Sequence, residues 1–163
     1  DTHWNQQGAF LAYQEICRKI QSDPSYVDFV CKNQEDYMIN MQDYKGDMIR
    51  LMPTNLDLNE MAPFFVPQFE SSVIRTQELV DGHPFPMLSS EIPLAESPNP
   101  YKLVSFRDSF FTAVIPFLQE DFQETTFEWK HKYNQDLIKE KDPDIVIVEV
   151  VERSLEHLVW FAD

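Results

Sequence analysis

The sequence predicts an α/β domain built on a parallel sheet, and three observations carry that prediction. The C-terminal half alternates strand-like and helix-like stretches, the signature of parallel strands joined by right-handed crossovers. Ile145 to Val148 is a continuous β-branched run, the mark of a strand buried on both faces. Tyr101 to Leu118 sets an apolar strand (Leu103, Val104, Phe106) directly before a turn at Arg107-Asp108-Ser109 and a helix from Phe110. At 163 residues the chain has the length of one domain, 1–163, with room for a substantial core.

In chain order, Asp1 to Asn5 reads as an extended or loop segment. Asn5 is an N-cap for a helix from about Gln6 to Gln21. Ala9, Ala12, Tyr13, Ile16, Cys17 and Ile20 recur at helical spacing and form its buried face. Cys17 on that face reads as a buried thiol; a disulfide to Cys31, the only other cysteine, stays open because spacing does not decide it. Asp23-Pro24-Ser25 is a turn. Residues 26–62 carry weak signals: short helices at Gly46 to Met52 and Leu58 to Met61, Pro53 as a breaker, and methionines as core filler.

From Phe64 to Val80 the pattern is strand-like, with VIRTQELV alternating. Asp81-Gly82-His83-Pro84 marks a turn, and Ser89 to Pro100 a loop. Residues 62–100 together read as a small antiparallel β insertion with its loop. Beyond Ser109, Pro116 either kinks the helix or starts a second short one. Phe122 to Lys130 is a strand, Asn134 to Lys141 a short helix stopped by Asp142-Pro143-Asp144, and Leu155 to Phe161 a final helix.

Charge narrows the function. The net charge of −15, from 28 acidic and 13 basic residues, opposes binding to a phosphate backbone, so no nucleic-acid partner is expected. A solvated acidic surface is the plain reading of that excess. His3, His83, His131 and His157 are scattered without zinc-ligand spacing, so neither a metal nor another cofactor is expected. No apolar run reaches the length of a membrane span, and no signal peptide is visible.

In a parallel sheet, ligands bind beyond the C-terminal strand ends. That rule selects Arg107 to Ser109, Trp129 to Tyr133, and Glu149 to Arg153. A serine between a strand and a helix lies where helical N–H groups stabilise developing negative charge, as in attack on an ester carbonyl. The competing role for Asp108 or Ser109 is to cap the helix. A serine nucleophile needs an imidazole base and an orienting carboxylate. Asp1 and His3 supply such a pair, since residues two apart in an extended segment point the same way; a chance pair in a surface loop is the plain alternative. Glu149 and Arg153, just past an apolar strand, serve either as substrate contacts or as a structural salt bridge. Trp4 and Trp129 are either platforms for sugar rings or core aromatics.

Three stretches taken together, DTHWNQQGAFLAY, FRDSFFTAVIPFL and KDPDIVIVEVVER, closely resemble the DHHW and alginate O-acetyltransferase group of SGNH-hydrolase-like proteins. The resemblance covers most of the chain and keeps the family's motif order. It implies a three-layer α/β/α, flavodoxin-like sheet, permuted so that the acid and base precede the serine. It also implies Asp1 as orienting acid, His3 as base and Ser109 as nucleophile. Glu149 and Arg153 match the E-x-x-E-R ending of the family's last strand. Many relatives carry Gly where this chain has Arg107, although DHHW members agree with it here. No Gly-x-Asn-Asp block is present, so the oxyanion site is assigned to the Ser109 N–H and groups near Arg153. The family's strands upstream of the D-x-H motif are missing, and the chain opens without Met; it is therefore expected to be an N-terminally truncated, C-terminal portion of a longer protein.

The activity implied is an O-acetyltransferase or acetylesterase working through an acetyl-serine on a cell-surface or secreted polysaccharide. A membrane-bound acyltransferase is the expected acetyl donor, and the location is extracytoplasmic, periplasmic or at the cell surface. The alternative is a catalytically degenerate module that binds glycan or a membrane acyltransferase partner.

Overall fold

The computed structural model describes residues 2–51, 59–80, 84–130 and 132–155. Expectations for Asp1, Pro53, the 81–83 part of the turn, His83, His131, His157 and most of the Leu155 to Phe161 helix fall outside those residues. The fold is α/β, and the chain divides into two units, Asp1–Ser71 and Ser72–Asp163.

In the first unit, helix α1 spans Gln6–Gln21, and the Asn5 side chain accepts the Gly8 N–H at 3.0 Å. That bond satisfies one of the donors a helix N-terminus leaves open. Ala9, Phe10, Tyr13, Cys17 and Ile20 are its buried residues. Strand β1 (Tyr37–Tyr44) pairs antiparallel with β2 (Glu60–Pro67), from Tyr37 opposite Pro67 to Tyr44 opposite Glu60. The helix is pinned to the hairpin by Gln6, whose Oε1 accepts the Phe65 N–H at 2.7 Å. Phe10 stacks on Phe65 at 4.9 Å and meets the edge of Tyr37 at 5.7 Å. Helix α2 (Asp47–Leu51) lies where the sequence places it. Of the helix read at Leu58 to Met61, Leu58 lies outside the described residues, and Glu60 and Met61 instead open β2: Met61 pairs with Asp43, and ladder pairing outweighs local helix propensity.

Cys17 is buried as expected, but not as a thiol: it forms a disulfide with Cys31. The segment carrying Cys31 runs back along α1, where the Tyr13 hydroxyl accepts the Lys32 N–H at 2.6 Å. That bond, invisible to residue spacing, helps bring the two sulfurs together.

The second unit is a five-stranded sheet in the order β3-β4-β6-β5-β7. Its strands are β3 (Ile74–Glu78), β4 (Met87–Glu91), β5 (Lys102–Arg107), β6 (Glu124–Trp129) and β7 (Ile145–Val148). The sheet is mixed, not wholly parallel: β6, β5 and β7 run parallel, while β4 pairs antiparallel with β6 and β3 antiparallel with β4. Ser89 and Ser90, read as loop, belong to β4. The Ser90 and Thr125 hydroxyls bond across the strands at 2.7 Å, so a serine pair is accommodated inside the sheet.

Strand β5 lies between β6 and β7, and Leu103 to Arg107 are all buried. On one face, Val104 and Phe106 pack with Leu137 of α4 (Gln135–Lys141). On the other, Phe127 is the ladder partner of Ser105 and meets Phe111, from the 3-10 turn Phe110–Ala113, at 6.3 Å. The helix expected from Phe110 is thus a 3-10 turn followed by the separate helix α3 (Ile115–Leu118). Pro116 sits in the first turn of α3, where its missing N–H costs no hydrogen bond. The expectation for β7 is also corrected. Among the described residues it pairs with β5 on one side only, and Val146 and Val148 are 41% and 39% exposed. A β-branched run therefore fills an edge strand here instead of one buried on both faces.

Candidate active site

The C-terminal ends of β5, β6 and β7 bring Arg107, Asp108, Trp129 and Glu149 together. Beyond β5 the chain turns at Asp108, which is almost fully buried. Its Oδ1 accepts the Phe110 N–H at 2.8 Å, closing the turn over two residues. Its Oδ2 accepts the Val151 N–H at 3.0 Å, beyond the end of β7. Its own N–H donates to Glu149 Oε2, also at 3.0 Å. The capping role open in the sequence thus falls to Asp108. Ser109 is half-buried, and its side chain makes no capping bond. The turn carrying Ser109 is therefore fixed to the segment after β7, which pairing of Phe106 with Val148 places alongside.

Arg107 is only 2% exposed. Register places it opposite Trp129 on the parallel neighbour, and its guanidinium lies 4.5 Å from the indole centre. Phe85 stacks on the same indole at 3.9 Å. Trp129 is thus engaged by its own chain. Arg107 Nη1 donates to the Asp108 carbonyl at 3.2 Å and to Thr112 Oγ1 at 2.9 Å, while Nε is buried without a hydrogen-bond partner among the described residues. Burial pushes the guanidinium down to about 10, against the opposing charges of Glu149 and Asp108. Glu149 is driven the other way. Burial raises its carboxyl to about 7; the Asp108 N–H opposes this, the Asp108 charge adds to it, and Arg107 lowers it. Arg153 is exposed, its guanidinium 5.2 Å from the Phe110 ring centre.

Of the predicted residues in the first unit, His3 and Trp4 are described, and Asp1 is not. Trp4 is half-buried against the start of α1: a Cβ on Gly8 would lie 3.0 Å from the Trp4 Cβ, so glycine makes room for it. His3 Nδ1 lies 3.3 Å from Thr2 Oγ1 and 3.4 Å from Asp47 Oδ2. Sequence reasoning missed Asp47, Thr112 and Phe85. Asp47 had a signal, an acidic residue opening a short predicted helix, but that pattern points to helix initiation and not to a distant histidine.

No protein-family profile and no curated protein sequence matches this chain. Solved structures do. Bacillus cereus PatB1 with a sulfonyl adduct superposes with a TM-score of 0.70 and 21% identity, covering 91% of this chain and 57% of that one. Another PatB1 structure gives 0.68 and 19%, with 91% and 59% covered. A DHHW family protein from Eubacterium siraeum gives 0.62 and 17%, with 91% and 56% covered. The fold is the one these proteins share. The chain spans less than 60% of each of them.

Proposed function

We propose that the chain is the catalytic portion of an O-acetyltransferase or acetylesterase, with Ser109 as nucleophile, His3 as base and Asp1 as orienting acid. The observation that carries this reading is the braced serine turn at the end of β5, in a fold shared with DHHW and PatB1 proteins. The motif resemblance supports the roles of His3 and Asp1. Burial of both faces of β5, by α4 and by the 3-10 turn, favours the three-layer SGNH-like arrangement.

In this reading His3 accepts the Ser109 hydroxyl proton as Oγ attacks an acetyl ester carbonyl. The ester's alcohol leaves with that proton, and an acetyl-serine remains. A sugar hydroxyl then attacks the acetyl group, giving up its proton through His3, and the serine is regenerated; with water as the attacking group the outcome is hydrolysis. The acceptor is a polysaccharide, and a membrane-bound acyltransferase is the donor. The disulfide supports an extracytoplasmic location, where such bonds persist.

The PatB1 sulfonyl adduct suggests the test, because a sulfonyl fluoride labels an activated hydroxyl without needing the natural substrate. The wild-type chain is treated with a sulfonyl fluoride and separately with an activated acetyl ester, beside Ser109→Ala. We expect one added sulfonyl group, located on Ser109 by peptide mass spectrometry, and acetyl release that falls at least 100-fold in the variant. Equal labelling and equal release from both proteins would leave the non-catalytic module as the better account.

A further inference from the structure

The environment of His3 contains a carboxylate that the D-x-H motif does not. Asp47, at the start of α2, is clamped by Thr2 through both of its oxygens. The Thr2 N–H donates to Oδ1 at 2.8 Å, and the Thr2 hydroxyl donates to Oδ2. The Met48 N–H also donates to Oδ1, at 2.7 Å. Hydrogen bonds from the Thr2 hydroxyl and N–H, then the Met48 N–H and the nearby His3, outweigh desolvation and lower the Asp47 carboxyl from 3.8 to about 2. It is therefore an acceptor only at neutral pH.

That arrangement bears on which His3 nitrogen carries the proton. A hydroxyl has one proton, and the Thr2 hydroxyl spends it on Asp47. Toward His3 Nδ1, 3.3 Å away, Thr2 Oγ1 can act only as an acceptor. Asp47 Oδ2 also lies near Nδ1, at 3.4 Å, and it too only accepts. Two acceptors facing one ring nitrogen stabilise the proton on it. In a neutral imidazole the lone pair is then on Nε2.

We propose that Asp47 is a positioning residue for His3: acting with Thr2, it fixes the Nδ1–H tautomer and leaves Nε2 as the basic nitrogen. The inference rests on the reading of His3 as the base, and it adds to Asp1 a second carboxylate, outside the D-x-H motif, that orients the ring. Both contacts to Nδ1 are longer than an ordinary hydrogen bond, and contacts of this kind tighten when substrate binds.

The test compares wild type with Asp47→Asn, Thr2→Val and Asp1→Asn. Asparagine keeps Oδ1 as the acceptor for the Thr2 and Met48 N–H groups, and replaces the charged Oδ2 facing His3 with an amide nitrogen that only donates. Thr2→Val removes the relay and leaves Asp47 in place. In histidine labelled with nitrogen-15, long-range proton–nitrogen correlation spectra read the tautomer of His3 directly, and backbone amide spectra report folding. We expect the neutral ring to be protonated at Nδ1 in wild type and to gain the Nε2–H form in Asp47→Asn, with a smaller gain in Thr2→Val. Acetyl ester turnover should lose 10²- to 10⁴-fold in kcat for Asp47→Asn, with KM changed less than threefold. An unchanged His3 tautomer in a folded Asp47→Asn protein overturns the proposal. So does a tautomer that responds to Asp1→Asn alone. If the tautomer shifts while wild-type protein releases no acetyl, the Asp47–His3 coupling stands and the acetyl-transfer reading falls.

Discussion

The helix-and-hairpin unit and the sheet unit hold themselves together by different means. In the sheet unit, five of the six residues of β5 are buried, with Phe106 and Leu103 almost wholly removed from water. The hairpin of the other unit has two strands, and in β1 only Tyr37 is buried. A two-stranded ribbon is marginal in water by itself. That unit instead relies on α1, on aromatic contacts of Phe10 with Tyr37 and Phe65, and on the Cys17–Cys31 crosslink. The difference extends to the candidate residues. Ser109 lies on a turn tied to a neighbouring strand segment through Asp108, whereas His3 lies ahead of a helix with Asp47 Oδ2 3.4 Å from its Nδ1.

The largest expected effect lies in the sheet. Phe106→Ala empties a site with no solvent exposure, among Val104 and Leu137. It should cost the sheet unit about 3–5 kcal/mol, the range for truncating a buried phenylalanine. Hydrogen exchange at β5 and β6 amides measures it. A loss below about 1 kcal/mol would mean that β5 is not the strand on which this unit depends.

The next effect belongs to the other unit. The disulfide closes residues separated by 14 positions, and loop-closure entropy for such a loop is worth about 3 kcal/mol. Reduction, or the double change Cys17→Ser with Cys31→Ser, should destabilise α1 amides by about that amount and leave those of β5 and β6 unchanged. Equal loss in both sets would erase the contrast between the units.

These two regions also differ in how far their sequence betrays them. α1, β6, α4 and the apolar core of β5 follow from local signals, because each element satisfies a local rule: Asn5 caps α1 where the sequence places it, and α4 begins one residue after the expected Asn134, which caps it. β1 was illegible because almost none of it is buried, so no alternation marks it. The Ser-Ser pair of β4 looked like a loop because its hydroxyls are satisfied by Thr125 and Thr126, a pairing that exists only in three dimensions. β7 looked central because its composition is β-branched, yet strand order is not written in composition. Of the candidate site, the turn was visible, but the division of labour within it was not. Asp108 accepts backbone N–H groups on both sides and leaves Ser109 out of the capping, which follows from β5 pairing with β7 and not from the tripeptide.

The smallest predicted effect tests the electrostatics of that turn. Glu149 carries a carboxyl raised from 4.5 to about 7, first because it is buried and further because Asp108 stands beside it. A carboxyl raised on folding binds its proton more tightly in the native state. Its contribution to stability is complete below pH 4.5, shrinks as the pH rises, and is lost once the pH passes about 7. Solvent reaches part of this side chain, so the effect, discounted for screening, is about 1 kcal/mol. Chemical denaturation from pH 4 to pH 8 should show the sheet unit losing that amount across this window. Glu149→Gln retains an acceptor for the Asp108 N–H and carries no charge at any pH. The variant should therefore lack the decline attributable to this group and exceed wild type above pH 7. If wild type and variant decline in parallel, the charge facing Asp108 is already compensated, and the buried Arg107 beside them is the cation that does it.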